Sequence, residues 1–342
     1  MDKKRRKSVT MQDIAAAANV SVATVSHVIN NTAKLTPETV ELVQRTIREL
    51  GYQPRPKAEL HQGNRMIAVF VPDISNEFYS RIAQAISKEA AKRNYAVIIC
   101  NSNHYKTQVG NLRSLLRSGV RGLIFCGGGP DDEHQIRSAA KLVPVVLCDR
   151  KITGSQIDSI GTNNVDIMKQ VITKLARFGY HRIGYISEDL VMSNAYDRYV
   201  GFRLGMEDNG LEIDPRWVVL DPGLRLSKNE NAYQVMHSML SKTREVPQIL
   251  LCSSDLIAIG VMAALREKSY SIPKDVGVIG FDDISLAKFA TLPLTTIAQD
   301  MKQLGKISVQ TLIQRIEHPE KGKTSEEIAL GAKIVLRESA RL

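Results

Sequence analysis

The chain has 342 residues, a hydrophobic content of 43% and a formal net charge of +10. At about 150 residues per domain, this length predicts two or three folded units. No run approaches the roughly 18 consecutive apolar residues of a membrane span, and no long apolar segment follows the basic start. We therefore expect a cytoplasmic protein, and the positive charge is typical of one with a polyanionic partner.

Positive charge is densest at the N-terminus. Residues 1–60 carry ten Lys and Arg against six Asp and Glu, and five of these bases lie between Lys3 and Lys7. We interpret residues 1–9 as a basic arm. Each of the four cysteines ends an apolar run, and none stands in a CxxC pair, so we expect them in the core. We expect no bound metal and no cofactor.

Residues 10–53 have the pattern of three short helices. Thr10 precedes an alanine-rich segment with Asp13 at its third position, which is typical of a capped helix start. After a tight turn, Ser21 caps a second helix, and Pro37 stands at the first position of a third. Two short helices joined by such a turn, with a third bracing them, predict a helix-turn-helix domain.

The second predicted helix has a strip of small, uncharged side chains. Positions 22, 23, 26, 27 and 30 share one face of a helix with about 3.6 residues per turn. Such a strip can enter the major groove of DNA, where Val22 and Ala23 meet thymine methyls and His27 bonds a base edge. The alternative is a module that binds protein, which the basic arm disfavours. We expect phosphate contacts from Ser21, Thr24 and Ser26.

From Met66 onward, apolar runs alternate with amphipathic helical segments. This alternation predicts parallel sheets wrapped by helices, and the strands are too many for one domain. We predict two lobes, lobe 1 at about 65–161 and 292–320, and lobe 2 at about 162–291 and 321–342. The predicted strands are 66–71, 95–100, 122–126, 144–148, 182–186, 248–252 and 276–281, and the predicted helices include 77–93, 163–178, 194–209 and 255–268.

Polar residues gather where these strands end. Each cluster alone is more often a helix cap or a turn, but ligands of open α/β sheets bind beyond the carboxyl ends of the strands. Five clusters on one edge therefore favour a binding cleft, with Phe78 and Tyr79 as apolar walls. The clusters are Asp73, Ser75 and Asn76; Ser102 and Asn103; Asp149 and Arg150; Ser253, Ser254 and Asp255; and Asp282 and Asp283.

Eight short stretches follow one another along nearly the whole chain in the order of a known family. They are residues 10–15, 19–30, 35–39, 49–54, 71–76, 278–283, 293–297 and 336–339. On these residues the chain resembles the LacI/GalR transcription regulators. The resemblance implies a helix-turn-helix head, a hinge, and a two-lobed core similar to periplasmic sugar-binding proteins.

The resemblance also implies roles for individual residues. In the head it implies base reading by Val22, Ala23 and His27, and backbone contacts from Thr10, Thr24, Ser26 and Asn30. In the core it implies effector contacts from Asn76, Phe78, Tyr79, Asp149, Arg198, Ser254 and Asp282, to which the strand-end pattern adds Arg150. A guanidinium and two carboxylates suit a sugar or sugar acid. Many members have asparagine where Ser254 stands, so this chain lacks the bidentate amide that the asparagine supplies.

The hinge, at residues 54–64, departs from the family pattern. The family has a leucine three residues after an alanine, and this leucine wedges into the minor groove. Here Leu60 follows Ala58 by two residues and His61 takes the wedge position, an offset of about 100° around a helix. Either the hinge is re-registered, which we favour, or the operator is kinked less. The predicted hinge residues are Pro56, Lys57, Ala58, Leu60 and His61.

The predicted function is a sequence-specific repressor that binds a near-palindromic operator as a homodimer and responds to a sugar-derived effector between the lobes. No heptad pattern follows the core, which favours a dimer over a tetramer. The alternative is a cytoplasmic sugar-binding protein without specific DNA recognition. We expect no enzyme, because residues 71–76 after the first strand contain no glycine of a GxGxxG fingerprint.

Overall fold

The computed structural model describes residues 10–30, 35–50, 65–101, 105–128, 130–243, 245–319 and 324–341, with only the backbone at 29–30, 105–110 and 130. The predicted basic arm and the predicted hinge residues Pro56, Lys57, Ala58, Leu60 and His61 lie outside these ranges. The chain divides into two compact units, Met1–Asn64 and Arg65–Leu342.

The first unit contains three helices, as its capping pattern predicts. They are α1 (Met11–Ala17), α2 (Val22–Asn30) and α3 (Pro37–Glu49). Ile14, Val25 and Val43, one from each helix, are fully buried against one another. Alanines 15 and 18 of this small core leave room for α1 and α2 to approach closely.

The second unit has two lobes, each built on a parallel sheet covered by helices. Sheet 1 contains β1 (Met66–Val71), β2 (Ala96–Asn101), β3 (Gly122–Cys126), β4 (Val145–Cys148), β5 (Asp158–Thr162) and β11 (Glu327–Leu330). Their order is β11-β5-β4-β3-β1-β2, and all neighbouring pairs are parallel. The helices of this lobe are α4 (Glu77–Ala91), α5 (Tyr105–Arg117), α6 (Glu133–Ala139) and α12 (Met301–Glu317).

Sheet 2 contains β6 (Ile183–Ser187), β7 (Val218–Leu220), β8 (Ile249–Cys252), β9 (Gly277–Asp282), β10 (Thr295–Ala298) and β12 (Lys333–Val335). Their order is β12-β10-β9-β8-β6-β7, and only the β10–β12 pair among these described strands is antiparallel. The helices of this lobe are α7 (Asn164–Arg177), α8 (Ser193–Asp208), α9 (Lys228–Lys242), α10 (Asp255–Glu267) and the short α11 (Ser285–Phe289).

The described chain crosses between the lobes three times. The first crossing follows β5, close to the predicted position. The second crossing is predicted near residue 292 but follows β10, because β10 pairs with β9 in sheet 2. The third crossing is predicted near residue 320 but follows β11, because β11 pairs with β5 in sheet 1. Residues 292–298 therefore belong to lobe 2 and residues 327–330 to lobe 1, because sheet pairing, and not the local apolar pattern, decides the lobe.

Each sheet has one switch point, where the chain reverses its direction of winding. In sheet 1 the chain winds outward from β1 to β2 and to β3, and in sheet 2 it winds outward from β6 to β7 and to β8. A crevice opens at the carboxyl ends of the strands at such points, and ligands of doubly wound sheets bind there.

All four cysteines are buried, as expected of core residues. No helix in the described part of the chain is long and apolar enough to cross a membrane.

Candidate DNA-reading helix and effector cleft

Helix α2 presents the predicted strip to solvent. Val22 is 44% exposed, and Ala23 and His27 are exposed as well. Thr24 and Ser26 are half-buried at the border of the strip, and the side chain of Asn30 lies outside the described residues. The opposite face of α2 is buried through Val25, so the small side chains at 22 and 23 are available to a partner surface.

The predicted phosphate contacts Thr10 and Ser21 act first as helix caps. The Thr24 amide donates to Ser21 Oγ over 3.0 Å, and the Asp13 amide donates to Thr10 Oγ1 over 3.4 Å. Each cap satisfies one of the free amides of a helix start and fixes the turn that presents it. The exposed serine hydroxyl therefore stands at the positive end of α2, a position that suits a phosphate oxygen.

A cavity of about 550 Å³ lies between the lobes at the two switch points. From lobe 1 it is lined by residues after β1 and β3, among them Asp73, Asn76 and Tyr79. From lobe 2 it is lined by Glu188 after β6 and by the start of α9 at Lys228. Its volume falls in the range of small-molecule sites.

Three predicted residues form a buried charged cluster beside this cavity, which we call the charged floor: Asp149, Arg198 and Asp282. They are 2%, 4% and 6% exposed. Arg198 Nη2 lies 3.9 Å from Asp149 Oδ1, and its guanidinium carbon lies 3.8 Å from the centre of the Phe281 ring. Tyr79 lines the cavity. Burial and the charges of Asp149, Glu188 and Asp282 raise the pKa of its hydroxyl, so Tyr79 connects the cavity with the floor.

Neighbouring amides hold the two carboxylates of the floor. Asn194 Nδ2 donates to Asp149 Oδ2 over 2.8 Å, and Gln299 Nε2 donates to Asp282 Oδ1 over 2.8 Å. Gln299 in turn accepts from Thr162 Oγ1, so residues beside two of the lobe crossings orient Asp282. Both aspartates have positive φ, 54° and 117°. Non-glycine residues rarely adopt such conformations, and they concentrate at functional sites.

A second ionic network lines the lobe 2 wall. Lys228 Nζ lies 2.8 Å from Glu188 Oε1, and Ser253 Oγ donates to Glu188 Oε2 over 2.6 Å. Burial alone would raise the pKa of Glu188, but the charge of Lys228 and the hydrogen bonds from Lys228 and Ser253 lower it to about 2. Glu188 is therefore a carboxylate at any physiological pH.

The carboxyl groups of the floor titrate much higher. Burial raises the pKa of Asp149 to about 6 and that of Asp282 to about 7, and Arg198 only partly offsets this effect. Burial favours the neutral acid because it removes water from the charged form. Near neutral pH, a fraction of the floor is therefore protonated.

The remaining predicted effector residues are placed differently. Phe78 is 3% exposed, packs into the core of lobe 1 and does not line the cavity; Met192, Leu226 and Leu256 supply the apolar walls. Ser254 caps α10, accepting from the Ile257 amide over 3.4 Å. Arg150 belongs to a separate ion pair, with Asp132 at 3.0 Å.

Several polar residues that line the described cavity escape the sequence pattern, among them Glu188, Asn194 and Lys228. Glu188 follows the apolar run of β6 directly, so the rule of polar strand ends could have found it. Asn194 and Lys228 stand in the first turns of α8 and α9, which have no side-chain hydrogen bond from an N-cap residue. Without a capping signal, nothing in the local sequence marks them.

Asp282→Asn is expected to change the pH dependence of stability. The folded state raises the pKa of Asp282 from 3.8 to about 7, so the wild-type core loses stability as the pH rises from 4 through 7, by roughly 4 kcal/mol at most. Asparagine keeps the acceptor for Gln299 but does not ionise. The Tm of the variant minus that of the wild type should therefore grow by several degrees between pH 5 and pH 8; a constant difference would contradict this assignment.

Known protein families match both the N-terminal helical unit and the two-lobed core. Residues 10–55 match the model of bacterial regulatory proteins of the lacI family, and residues 172–340 match a periplasmic binding protein-like domain. The HTH-type transcriptional repressor PurR of Haemophilus influenzae strain PittEE is 31% identical over 97% of this chain and 98% of its own length. The ribose operon repressor of Haemophilus influenzae strain ATCC 51907 is 32% identical over 96% and 98%.

Solved structures give the same architecture. The Lac repressor dimer bound to operator and the anti-inducer ONPF has a TM-score of 0.73 at 25% identity, covering 98% of this chain and all of that one. A LacI family transcriptional regulator from Enterococcus faecium with bound ribose has a TM-score of 0.68 at 26% identity, covering 80% and 98%.

A helix-turn-helix unit followed by a two-lobed binding core defines a ligand-controlled DNA-binding regulator. The chain belongs to the LacI family of transcriptional regulators. It is a DNA-binding repressor of that family with an effector-binding core, and its similar relatives are repressors, not enzymes.

Proposed function

We propose that this protein represses transcription as a homodimer on a near-palindromic operator and that a sugar-derived effector in the inter-lobe cavity controls binding. The observation that carries the DNA half is the exposed strip of Val22, Ala23 and His27 on α2. Small apolar side chains can approach thymine methyls, and an imidazole bonds a base edge.

A dimer follows from the number of contacts. One head reads only a few base pairs, and specific binding by helix-turn-helix proteins uses two half-sites about one helical turn apart. A twofold dimer presents two such helices and makes the operator a near-palindrome. The similar Lac repressor is a dimer on its operator, which supports the same assembly here.

An effector in the cavity supports the regulatory half. The cavity is lined from both lobes, so a bound ligand would change the free energy of one lobe arrangement relative to another. Such coupling to DNA binding is typically worth about 1–3 kcal/mol. The similar regulator from Enterococcus faecium holds ribose, and hydroxyl groups suit the carboxylate and amide acceptors of this site.

Selection from random duplex DNA tests the function directly. Purified full-length protein at one fixed salt concentration should enrich a near-palindrome, since affinity for DNA depends on salt. Adding single sugars should shift its occupancy. Recovery of no preferred sequence with or without sugars would favour the alternative, a sugar-binding protein without specific DNA recognition.

His27→Ala is expected to relax base preference at one position of each half-site. Loss of a base-edge hydrogen bond costs about 1–3 kcal/mol of discrimination, so preference at that position should fall about tenfold or more in competition anisotropy. Gln44→Ala is the control, because Gln44 is an exposed neutral residue of α3; it should bind as the wild type does. Equal effects of both variants would remove the base-reading role of His27.

A further inference from the structure

We propose that Glu77 is an inter-lobe latch: from the first turn of α4 in lobe 1 it holds the start of α11 in lobe 2, and the lobes separate only when this contact breaks. The inference goes beyond operator and effector recognition and rests on the proposed function only for its regulatory consequence. Its basis is a helix start that receives its acceptor from the other lobe.

The start of α11 is held from both lobes. Its N-cap residue, Ile284, makes no side-chain cap hydrogen bond, and the Ile284 amide donates to Asp255 Oδ2 within lobe 2 over 2.9 Å. The next amide, that of Ser285, donates to both carboxylate oxygens of Glu77 over 2.9 Å, and Ser285 Oγ donates to Glu77 Oε1 over 2.7 Å. An isoleucine side chain cannot accept from the free amides of a helix start, so Glu77 supplies that acceptor from lobe 1.

Arg81, one turn further along α4, adds to the same contact. Its Nη1 lies 3.5 Å from Glu77 Oε1 and donates to the Asp283 carbonyl of lobe 2 over 3.4 Å. The Glu77 side chain is 29% exposed, so water only partly screens the carboxylate. Hydrogen bonds to a charged group are stronger than those between neutral groups. The latch, formed by Glu77, Arg81 and Ser285, therefore joins the two lobes through charge-assisted contacts.

The latch is three residues from the charged floor. Asp282 of the floor ends β9, and Ser285 begins α11. Asp282 and Asp283 both have positive φ, 117° and 60°, in a region that non-glycine residues rarely adopt. A turn in these conformations has few alternatives, so a ligand that displaces Asp282 displaces the Ser285 donors as well. The floor and the latch are therefore mechanically connected.

A second contact between the lobes lies two strands away in each sheet. The Lys151 amide of lobe 1 donates to Ser193 Oγ of lobe 2 over 3.0 Å, and Lys151 Nζ lies 2.8 Å from Asp197 Oδ2. These residues follow β4 and β6, whereas the latch joins residues that follow β1 and β9. Hydrogen exchange of the Lys151 amide therefore measures separation of the lobes at a point that Glu77 does not contact.

The regulatory consequence concerns the population of the joined lobes. A ligand that contacts both lobes binds while they are together, and its apparent affinity falls with the fraction of molecules in that arrangement. The latch raises this fraction, so it raises the affinity of the proposed effector site.

Hydrogen–deuterium exchange of the full-length protein, followed by mass spectrometry, tests the latch without operator or effector. Glu77→Ala should speed exchange of the Ser285 amide about tenfold or more, because that amide loses a charged acceptor. The Lys151 amide should exchange about threefold faster or more, because the lobes separate more often. Amides of the buried strand β8 should be unchanged, since they exchange through global unfolding.

Two further variants make the test specific to the contact. Glu207→Ala, at an exposed position of α8, should leave all of these amides unchanged. Ser285→Ala should accelerate the Lys151 amide less than Glu77→Ala does, because the amide of residue 285 still donates to Glu77. In the Glu77→Ala background, Ser285→Ala should add nothing, because the hydroxyl has already lost its acceptor.

The pattern of exchange decides whether the latch exists. The proposal requires faster exchange of the Ser285 and Lys151 amides in Glu77→Ala with β8 unchanged, and every other pattern overturns it. Acceleration of Ser285 alone would mean that Glu77 only caps α11, and equal acceleration of β8 would mean that it acts through global stability. The operator selection is independent, because recovery of no near-palindrome would overturn the proposed function and leave the latch intact.

Discussion

Replacing Arg198 with methionine is expected to destabilise the core by about 3–5 kcal/mol near pH 8, the usual effect of removing one partner of a buried ion pair. Methionine fills a similar volume on the Phe281 ring but removes the cation that pairs with Asp149 and interacts electrostatically with Asp282. Chemical unfolding followed by circular dichroism measures the loss. Effector binding in the adjoining cavity should weaken in the same variant.

The loss should depend on pH in a defined direction. Wild-type Asp149 and Asp282 have pKa values of about 6 and 7, so at pH 5 both are largely neutral and have little charge to compensate. At pH 8 the variant must either keep ionised carboxylates without a partner or protonate them, at about 1.4 kcal/mol per pKa unit. The destabilisation should therefore grow between pH 5 and pH 8.

Two further variants make the test specific. Adding Asp149→Asn and Asp282→Asn to Arg198→Met removes the unpaired charges and should recover part of the stability at pH 8. Arg203→Met, at an exposed position of the same helix, should change the stability by less than about 0.5 kcal/mol. A pH-independent loss, or one matched by Arg203→Met, would mean that Arg198 acts through packing alone.

The fold could be predicted wherever local periodicity is strong. Helices 77–93, 163–178, 194–209 and 255–268 are found within two residues of their predicted ends, and seven predicted runs are strands. The strands that the pattern missed lack a buried apolar run. β11 alternates between exposed and half-buried positions, and β12 has one exposed position followed by two half-buried ones. The lobe boundaries depend on these strands, because long-range pairing, which leaves no local signal, assigns them to a sheet.

The residues of the candidate site could be predicted where they follow a buried strand. Asp149 and Asp282 were found because each stands at the end of a buried strand, where parallel sheets place ligand-binding residues. Phe78 was expected on a cavity wall, but in α4 it points into the core of lobe 1, next to the cavity-lining Tyr79. Sequence spacing places both residues on one helix turn, and only tertiary packing decides which of them faces the cavity.

Gly260→Ala is expected to destabilise the core by about 3 kcal/mol, at the upper end of the usual cost of overpacking. Gly260 lies in α10 where α9 crosses it, and a β-carbon there would stand 2.1 Å from the backbone carbonyl oxygen of Asn229. A carbonyl of a helix cannot rotate away as a flexible side chain would, so α9 must move. Gly331→Ala is the control, because no described atom lies within 4 Å of its β-carbon position.

This substitution also reaches the cavity. Asn229 and its neighbour Lys228 form the first turn of α9 and line the cavity wall, so displacing α9 should lengthen the contact between Lys228 and Glu188. The variant should therefore bind the effector more weakly, while Gly331→Ala keeps the wild-type affinity. Calorimetry with the sugar that shifts operator occupancy, below the unfolding temperature of the variant, separates this effect from the loss of stability. Unchanged affinity in a destabilised Gly260 variant would mean that the first turn of α9 does not contact the effector.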